Sequence, residues 1–292
     1  MGKLRKVTNQ ILLSIIVPIG NSIENFDNLS SWIHKINKNT EVILIWDGLN
    51  DISERKRLLK LENKSISNIY ENGIGPGGAR NKGLEVIKGK WYVFCDADDV
   101  IYPERIIYSL VEVDENKDLL VFNFETLNVI SNKNMIAEPC KNINMLTSQV
   151  GIWRIIFRKE IFGVLRFPNL RMAEDQIYLM KCKLDSRKIE YKTEISYKYF
   201  ISNQNQLTNS RVAKHEIIYA FEEAQSEFEF NQSEINLYFL LQIFLSTLKY
   251  AVLKNKIKAT NSFLRCMLTN KIEWYSIMRV IFTIYLRKKF YQ

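Results

Sequence analysis

Residues 91–99 read WYVFCDADD, five uncharged residues followed by three carboxylates within four positions. A short apolar run ending in a polar cluster fits a strand buried on both faces. Asp96 and Asp98 lie two residues apart, so at a strand end their side chains share a face, and Asp99 follows in the turn. Crowded carboxylates repel one another, and a hard divalent cation relieves that repulsion. Mg²⁺ or Mn²⁺ takes oxygen ligands, typically one or two carboxylates plus the phosphate oxygens of a substrate. Without an ion, the same residues would form a solvated acidic turn capping a helix that begins near Pro103.

On either side of this stretch the first half of the chain alternates buried strands with helices. LLSIIVP (12–18), EVILIW (41–46, halted by Asp47-Gly48), 66–70 and 119–124 are predicted strands. Residues 25–36 carry Phe26, Leu29, Trp32, Ile33 and Ile36 at helical spacing, and 53–61 and 78–87 are also predicted helical. Such a pattern predicts an α/β fold with a mostly parallel sheet covered on both faces. Its ligand crevice should lie beyond the carboxyl ends of the strands, where Asp47 and the Asp96 cluster fall. Residues 150–199 mix short strands with a helix starting near Glu174, and the chain is almost wholly helical after His215.

Two further segments carry chemical signals. NGIGPGGARNKG (72–83) holds four glycines between Gly73 and Gly78. Glycines let backbone approach a ligand, and the helix N-terminus beyond them favours an anion. The segment is neither a P-loop, lacking the GK[ST] ending, nor a dinucleotide GxGxxG, which should follow the first strand. Arg80, at the mouth of that helix shortly before the acid cluster, adds weight to a site here. In Ala173-Glu174-Asp175-Gln176, the helix dipole would keep a first-turn carboxylate ionised and able to act as a base, or the pair would simply cap the helix.

Taken together, LLSIIVP, EVILIWDG, GPGGARNKGL, WYVFCDADD and IWRIIFRKEIF with RFPNLRMAEDQ resemble the family 2 glycosyltransferases, an inverting group with a GT-A fold. The likeness runs from about residue 12 to 210. It implies roles residue by residue. Pro18 would lie near the nucleotide base, Asp47 at base or ribose, and Arg80 near the nucleotide. Asp96 and Asp98 would hold ribose and metal-diphosphate, with Asp98 on the metal. Asp175 would be the catalytic base, with Glu174 and Asp99 as additional site residues. The expected cofactor is Mn²⁺ or Mg²⁺, and the expected donor a nucleoside-diphosphate sugar, foremost a UDP-sugar. The acceptor would be a glycan or lipid-linked glycan in bacterial surface polysaccharide synthesis. Departures occur at Trp46, where the family usually has an acid, at Ile19-Gly20-Asn21 in place of an aromatic-Asn pair, and in residues 197–204, which lack a frequent histidine.

Two other readings stand beside this one. A sugar nucleotidyltransferase would place its glycine- and arginine-rich loop after the first strand, where Gly20-Asn21-Ser22 lacks that character. A catalytically silent, membrane-associated assembly partner would have little use for Asp96, Asp98 and Asp175.

Composition limits the rest. A chain of 292 residues with 47% hydrophobic and 25% charged residues can bury one substantial core with an appendage. Cys95, Cys140, Cys182 and Cys266 are scattered, and with only His34 and His215 they offer no soft-metal cluster. They fit reduced thiols in a cytoplasmic protein. The basic start at residues 1–6 is followed by an apolar run containing Pro18, which suits a strand better than a signal peptide.

The net charge of +9 is localised. Residues 249–292 contain ten Lys or Arg and one acid, Glu273, which accounts for the whole excess. We therefore expect a catalytic domain over 1–210 and a basic helical region over 211–292. The apolar stretch 237–253 is interrupted by Gln242, Ser246, Thr247 and Lys249, and a membrane span needs ~20 apolar residues. Residues 272–291 interleave aromatics with cations. That suits a helix lying in an anionic membrane interface, on the inner face of the cell membrane, or a helix packed on the domain with its basic face in water. No nucleic-acid partner is expected.

Overall fold

The computed structural model describes residues 10–20, 26–48, 65–148, 151–201 and 216–290. The expected helix over 53–61, the domain boundary near Ser210 and the basic start of the chain lie outside these residues.

The strands are β1 (Leu13–Ile19), β2 (Thr40–Asp47), β3 (Ile66–Glu71), β4 (Trp91–Phe94), β5 (Val100–Ile101), β6 (Leu119–Asn128), β7 (Lys133–Ile136), β8 (Ile155–Arg158) and β9 (Ile189–Ile201). The helices are α1 (Phe26–Ile33), α2 (Gly75–Val86), α3 (Pro103–Glu112), α4 (Ile143–Ser148), α5 (Lys159–Phe162), α6 (Glu174–Lys181), α7 (Ile217–Phe230), α8 (Glu234–Tyr250), α9 (Leu253–Thr269) and α10 (Trp274–Phe290). One sheet runs β3-β2-β1-β4-β8-β6-β9-β5, with β7 paired to β6. Strands β3, β2, β1 and β4 are parallel neighbours, as are β6 and β9. The α/β fold and mostly parallel sheet are therefore as expected. Antiparallel pairing enters at β8, which joins β4 to β6, and at β5 and β7.

Alternation along the strands divides the core. Ile16, Ile43 and Ile45 point to one face, beneath α2, α6 and the C-terminal helices. Leu13, Ile15, Val17, Val42, Leu44 and Trp46 point to the other, beneath α1 and α3. Both faces are covered, so β1, β2 and β4 are apolar along most of their length and read as near-continuous runs. The buried polar pair at their start is satisfied internally, Ser14 Oγ donating to Glu41 Oε1 at 2.6 Å. The helices after residue 215 share one apolar cluster with the sheet through α6, with Phe221, Phe239 and Phe244 in the same cluster as Tyr178.

Strand order reverses at β1: the chain proceeds to β2 and β3 on one side and returns to β4 on the other. The crevice at such a switch point opens at the carboxyl ends. Pro18 sits there on β1, opposite Ile45. Strand β4 pairs with β1 only as far as Phe94 opposite Ile16. Pro18, which has no N–H, therefore falls past the end of that ladder and removes no hydrogen bond from it.

Helix α2 begins at Gly75, three residues earlier than the sequence suggested. Gly73 and Gly75 have φ of 72° and 73°, the left-handed region that glycine enters without penalty. Pro76 then fits the first turn, where its missing N–H costs nothing.

Candidate active site

Asp47 ends β2 on the face that carries α2. Its Oδ1 accepts from the Ile74 N–H at 2.9 Å and its Oδ2 from the Gly75 N–H at 2.7 Å. The anion expected at this helix N-terminus is thus supplied by the chain itself. Two charge-assisted bonds to free helix N–H groups fix the glycine turn to the second strand. Trp46, one residue earlier, points to the opposite face. It is 2% exposed, and its Nε1 donates to Asn68 Oδ1 at 2.8 Å.

The later glycines also serve packing within the protein. A Cβ on Gly77 would come 2.7 Å from the Pro168 carbonyl oxygen, and one on Gly83 would strike Ile16. The close approach read from the sequence as room for a ligand is therefore, at Gly77, an approach to neighbouring protein, and Gly83 is packed in the same way. This packing brings α2 against β1 and against the loop that precedes α6.

Arg80 and Asn81 complete that contact. Asn81 Nδ2 donates to the Phe167 carbonyl at 3.0 Å, and the Phe167 N–H donates back to Asn81 Oδ1 at 2.8 Å. Arg80 is buried and forked: Nη1 donates to Glu174 Oε1 at 2.8 Å and Nη2 to Asp96 Oδ1 at 3.0 Å. Burial alone would lower its pKa, but Asp96, Glu174 and Asp175 outweigh burial and hold the guanidinium above its ordinary value. One arginine thus ties the end of β4 to the start of α6, segments that are far apart in sequence.

Glu174 and Asp175 then part ways. Glu174 is buried against Arg80. Asp175 is half-buried, and its Oδ1 accepts only the adjacent Gln176 N–H, at 2.8 Å, among the bonds seen in the described residues. Burial pushes Asp175 up to about 7, Glu174 adds to the rise, and Arg80 offsets part of it. A carboxyl with a pKa near neutrality is suited to accepting a proton. Ala173, immediately before the pair, holds a left-handed backbone with φ of 62°. That conformation is uncommon for a residue with a Cβ, and strain of this kind clusters at functional sites.

At the acid cluster, the three aspartates differ as well. Asp96 faces Arg80. Asp98 is partly exposed, and its carbonyl accepts from Asn28 Nδ2 at 2.6 Å. Asp99 is buried, its Oδ2 accepting from the Tyr197 hydroxyl at 2.7 Å and its Oδ1 from the Phe200 N–H at 2.9 Å. Burial pushes its pKa well up, with Asp98 and Asp96 adding to the rise. Asp99 thus turns inward to β9. The Tyr197 hydroxyl also accepts from the Asp96 N–H at 3.1 Å, so one side chain clamps both ends of the acidic turn. Tyr197 was not legible in the sequence, because nothing local links β9 to the end of β4.

The arrangement gathers Pro18, Asp47, Arg80, Asp96, Asp98, Glu174 and Asp175 around the carboxyl end of the sheet. A family description, Glycosyl transferase family 2, matches residues 14–170, more than half of the chain. The chain belongs to that family. Among its relatives, an uncharacterised glycosyltransferase of Haemophilus influenzae is 29% identical, over 60% of this chain and 72% of its own length. The poly(ribitol-phosphate) β-N-acetylglucosaminyltransferase TarS of Staphylococcus aureus is 25% identical, over 70% of this chain and 38% of its own. An uncharacterised glycosyltransferase of Rickettsia conorii is 31% identical, but this chain spans only 22% of its length.

Solved structures extend the likeness in fold. TarS residues 1–349 in complex with UDP-GlcNAc superpose with a TM-score of 0.70 at 18% identity, covering 96% of this chain and 91% of that one. A mannosyltransferase of Pyrobaculum calidifontis, solved with GDP-Man and Mn²⁺, gives 0.52 at 13% identity, covering 94% and 86%. At these identities the structures establish a shared GT-A type fold alone, which takes in the C-terminal helices as well as the sheet.

Proposed function

We propose that this glycosyltransferase moves a sugar from a nucleoside-diphosphate sugar to an acceptor hydroxyl with inversion, Asp175 acting as the base. The observation that carries the proposal is the division of labour at α6. Arg80 engages Glu174 and Asp96, while Asp175, raised to about 7, keeps a carboxylate oxygen without a hydrogen bond among the described residues.

Asp175 takes the proton of the acceptor hydroxyl as that oxygen bonds to the anomeric carbon. The bond from the anomeric carbon to the diphosphate breaks on the opposite face, and the nucleoside diphosphate leaves with the bonding pair. One displacement inverts the configuration and needs no protein nucleophile. Pro18 and Asp47 would border the nucleoside, Asp47 by holding the Ile74–Gly75 turn beside it. Arg80 acts as a positioning residue, fixing Asp96 relative to Asp175, and Asp99 supports the acidic turn from behind.

Carboxylate oxygens suit Mn²⁺ or Mg²⁺. Among the described residues, however, no group of three or more His, Cys, Asp or Glu is gathered to hold an ion, so most of its ligands would have to come from the donor. Asp98 would hold the ion, with Asp96 beside it toward the ribose and the remaining ligands drawn from the diphosphate. A bound divalent cation would neutralise charge on the departing diphosphate. A UDP-sugar is the proposed donor, supported by the UDP-GlcNAc complex of TarS. A glycan or lipid-linked glycan of bacterial surface polysaccharide synthesis is the proposed acceptor.

Isothermal titration of the full chain with nucleoside diphosphates and UDP-sugars, with and without Mn²⁺, tests this reading. We expect binding of one nucleotide that strengthens with Mn²⁺ and loses that increment in Asp98→Ala. A folded chain that binds none of them overturns the transferase reading in favour of a silent partner.

A further inference from the structure

Helices α9 and α10 each bury one side and leave the other apolar. On α9, Ala259, Phe263, Cys266 and Met267 are buried, and the helix packs on α7 and α8. Leu253, Ile257, Leu264 and Leu268 recur at helical spacing on the opposite side, and Leu253 and Leu268 are each 73% exposed. On α10, Ile277, Val280 and Ile284 are buried and the helix packs on α8. Trp274, Tyr275, Met278 and Phe282 face water, Tyr275 at 74% exposure. A contiguous apolar stripe on a helix is not a feature that water rewards, and it marks a contact surface.

The charges carried by α9 and α10 themselves are nearly all positive. Lys258 and Arg279 are paired with Glu222 of α7 and Glu234 of α8, which leaves other cations in excess. Lys254 and Arg265 each follow a stripe leucine on α9, with Lys256 on the same helix and Lys271 in the turn to α10. None of the four makes an ion pair among the described residues. Glu273 is the only acid in residues 249–292.

We propose that α9 and α10 form a docking surface for an anionic lipid bilayer, with the helices lying in its interface. Aliphatic residues would enter the acyl boundary, Trp274 and Tyr275 would sit at headgroup level, and the flanking cations would meet anionic headgroups. No described helix is long and apolar enough to span a bilayer, and the proposed contact is one made along the interface. A second copy of the chain would bring like charges together across the same surface. A nucleic acid would satisfy the cations but leave the leucine stripe in water. The proposal stands independently of sugar transfer, because lipid binding requires neither donor nor acceptor.

Flotation of the full chain with vesicles of phosphatidylcholine alone, or with about one-third phosphatidylglycerol, is the test. We expect recovery with the anionic vesicles and not with the neutral ones. Leu253→Gln with Leu268→Gln should lower the bound fraction by about tenfold or more, since exposed leucines lose their acyl contact. Lys254→Gln and Arg265→Gln should each lower binding about fivefold. Unchanged circular-dichroism melts would show that these surface variants are folded. Failure of the folded chain to float with anionic vesicles overturns the proposal. So does undiminished binding by the double leucine variant, which would mean adsorption by charge alone. A concentration-dependent dimer abolished by the leucine variant would assign the surface to a second copy instead.

Discussion

The carboxyl edge of the sheet and the C-terminal helices carry charge in opposite ways. At the edge, Asp47, Asp96, Asp99 and Glu174 are each bound by a named donor from a distant segment, and Arg80 is buried between two of them. Along α9, Lys254, Lys256 and Arg265 stand beside exposed leucines with no ion pair among the described residues. A charge buried among partners costs a great deal to disturb, because its loss leaves the partner buried and uncompensated. A charge in water costs almost nothing to remove. The edge is therefore where substitutions should affect folding and chemistry together, and the helical surface is where they should affect association alone.

The contrast would break first at Asp175. Asp175→Asn should reduce transfer by about 10²–10⁴-fold, the usual contribution of a general base, measured as product formation once a donor is found. The wild-type rate should rise with pH and level off above about 7, as the carboxyl loses its proton. Stability should move the other way. Unfolded, this group releases its proton near 3.8, whereas in the fold it keeps it to about 7. Between those values the native state holds the extra proton, so raising the pH weakens the fold. Asp175→Asn should remove that slope from denaturant midpoints measured across the same range. A variant with full activity, or one whose fold collapses, would show that Asp175 belongs with the structural carboxylates.

Arg80→Ala comes next. It strands Glu174 and the Arg80-facing side of Asp96, and should destabilise by about 3–5 kcal/mol in urea unfolding. A loss below about 1 kcal/mol would place Arg80 with the surface cations of α9. Tyr197→Phe should cost about 1–3 kcal/mol, because Asp99 loses a donor while still buried. Its activity should fall as well, because the Asp96 N–H loses its acceptor and the turn loosens. The smallest effect belongs to the other region: Leu268→Gln should leave the melting midpoint within the range of ordinary surface changes, about 0.5 kcal/mol either way.

Much of this was legible in the order of residues. Strands β1, β2 and β4 announce themselves because both faces are covered, so most of their positions are apolar. The glycine turn, Asp96 and Asp98 at a strand end, and the Glu174-Asp175 pair opening a helix are each local patterns. What those patterns meant was less legible. Gly77 was among the glycines that suggested room for a ligand, yet a Cβ there would come 2.7 Å from the Pro168 carbonyl oxygen. Asp47 resembled a nucleoside contact, yet both its oxygens hold the backbone of residues 74 and 75. Residues 272–291 left membrane contact and packing as alternatives, and α10 exposes one face while burying the other. The stripe on α9 was missed because its apolar residues Leu253, Ile257, Leu264 and Leu268 are interspersed with polar and basic residues, and sequence alone does not tell which side of a helix is already covered.

By itself, then, the sequence determined the main strands β1, β2, β3, β4 and β6, the helices that open at Phe26 and Gly75, the family resemblance and the set of carboxylates present, since each rests on neighbours within a few residues. The short β5 and β7 were not legible in it. Only the tertiary structure decided what surrounds each carboxylate. Arg80, Glu174 and Asp96 meet across long stretches of chain, and Tyr197 reaches Asp99 from β9. Those meetings, together with burial, set the charge and freedom of each group, and neither is a property of local sequence.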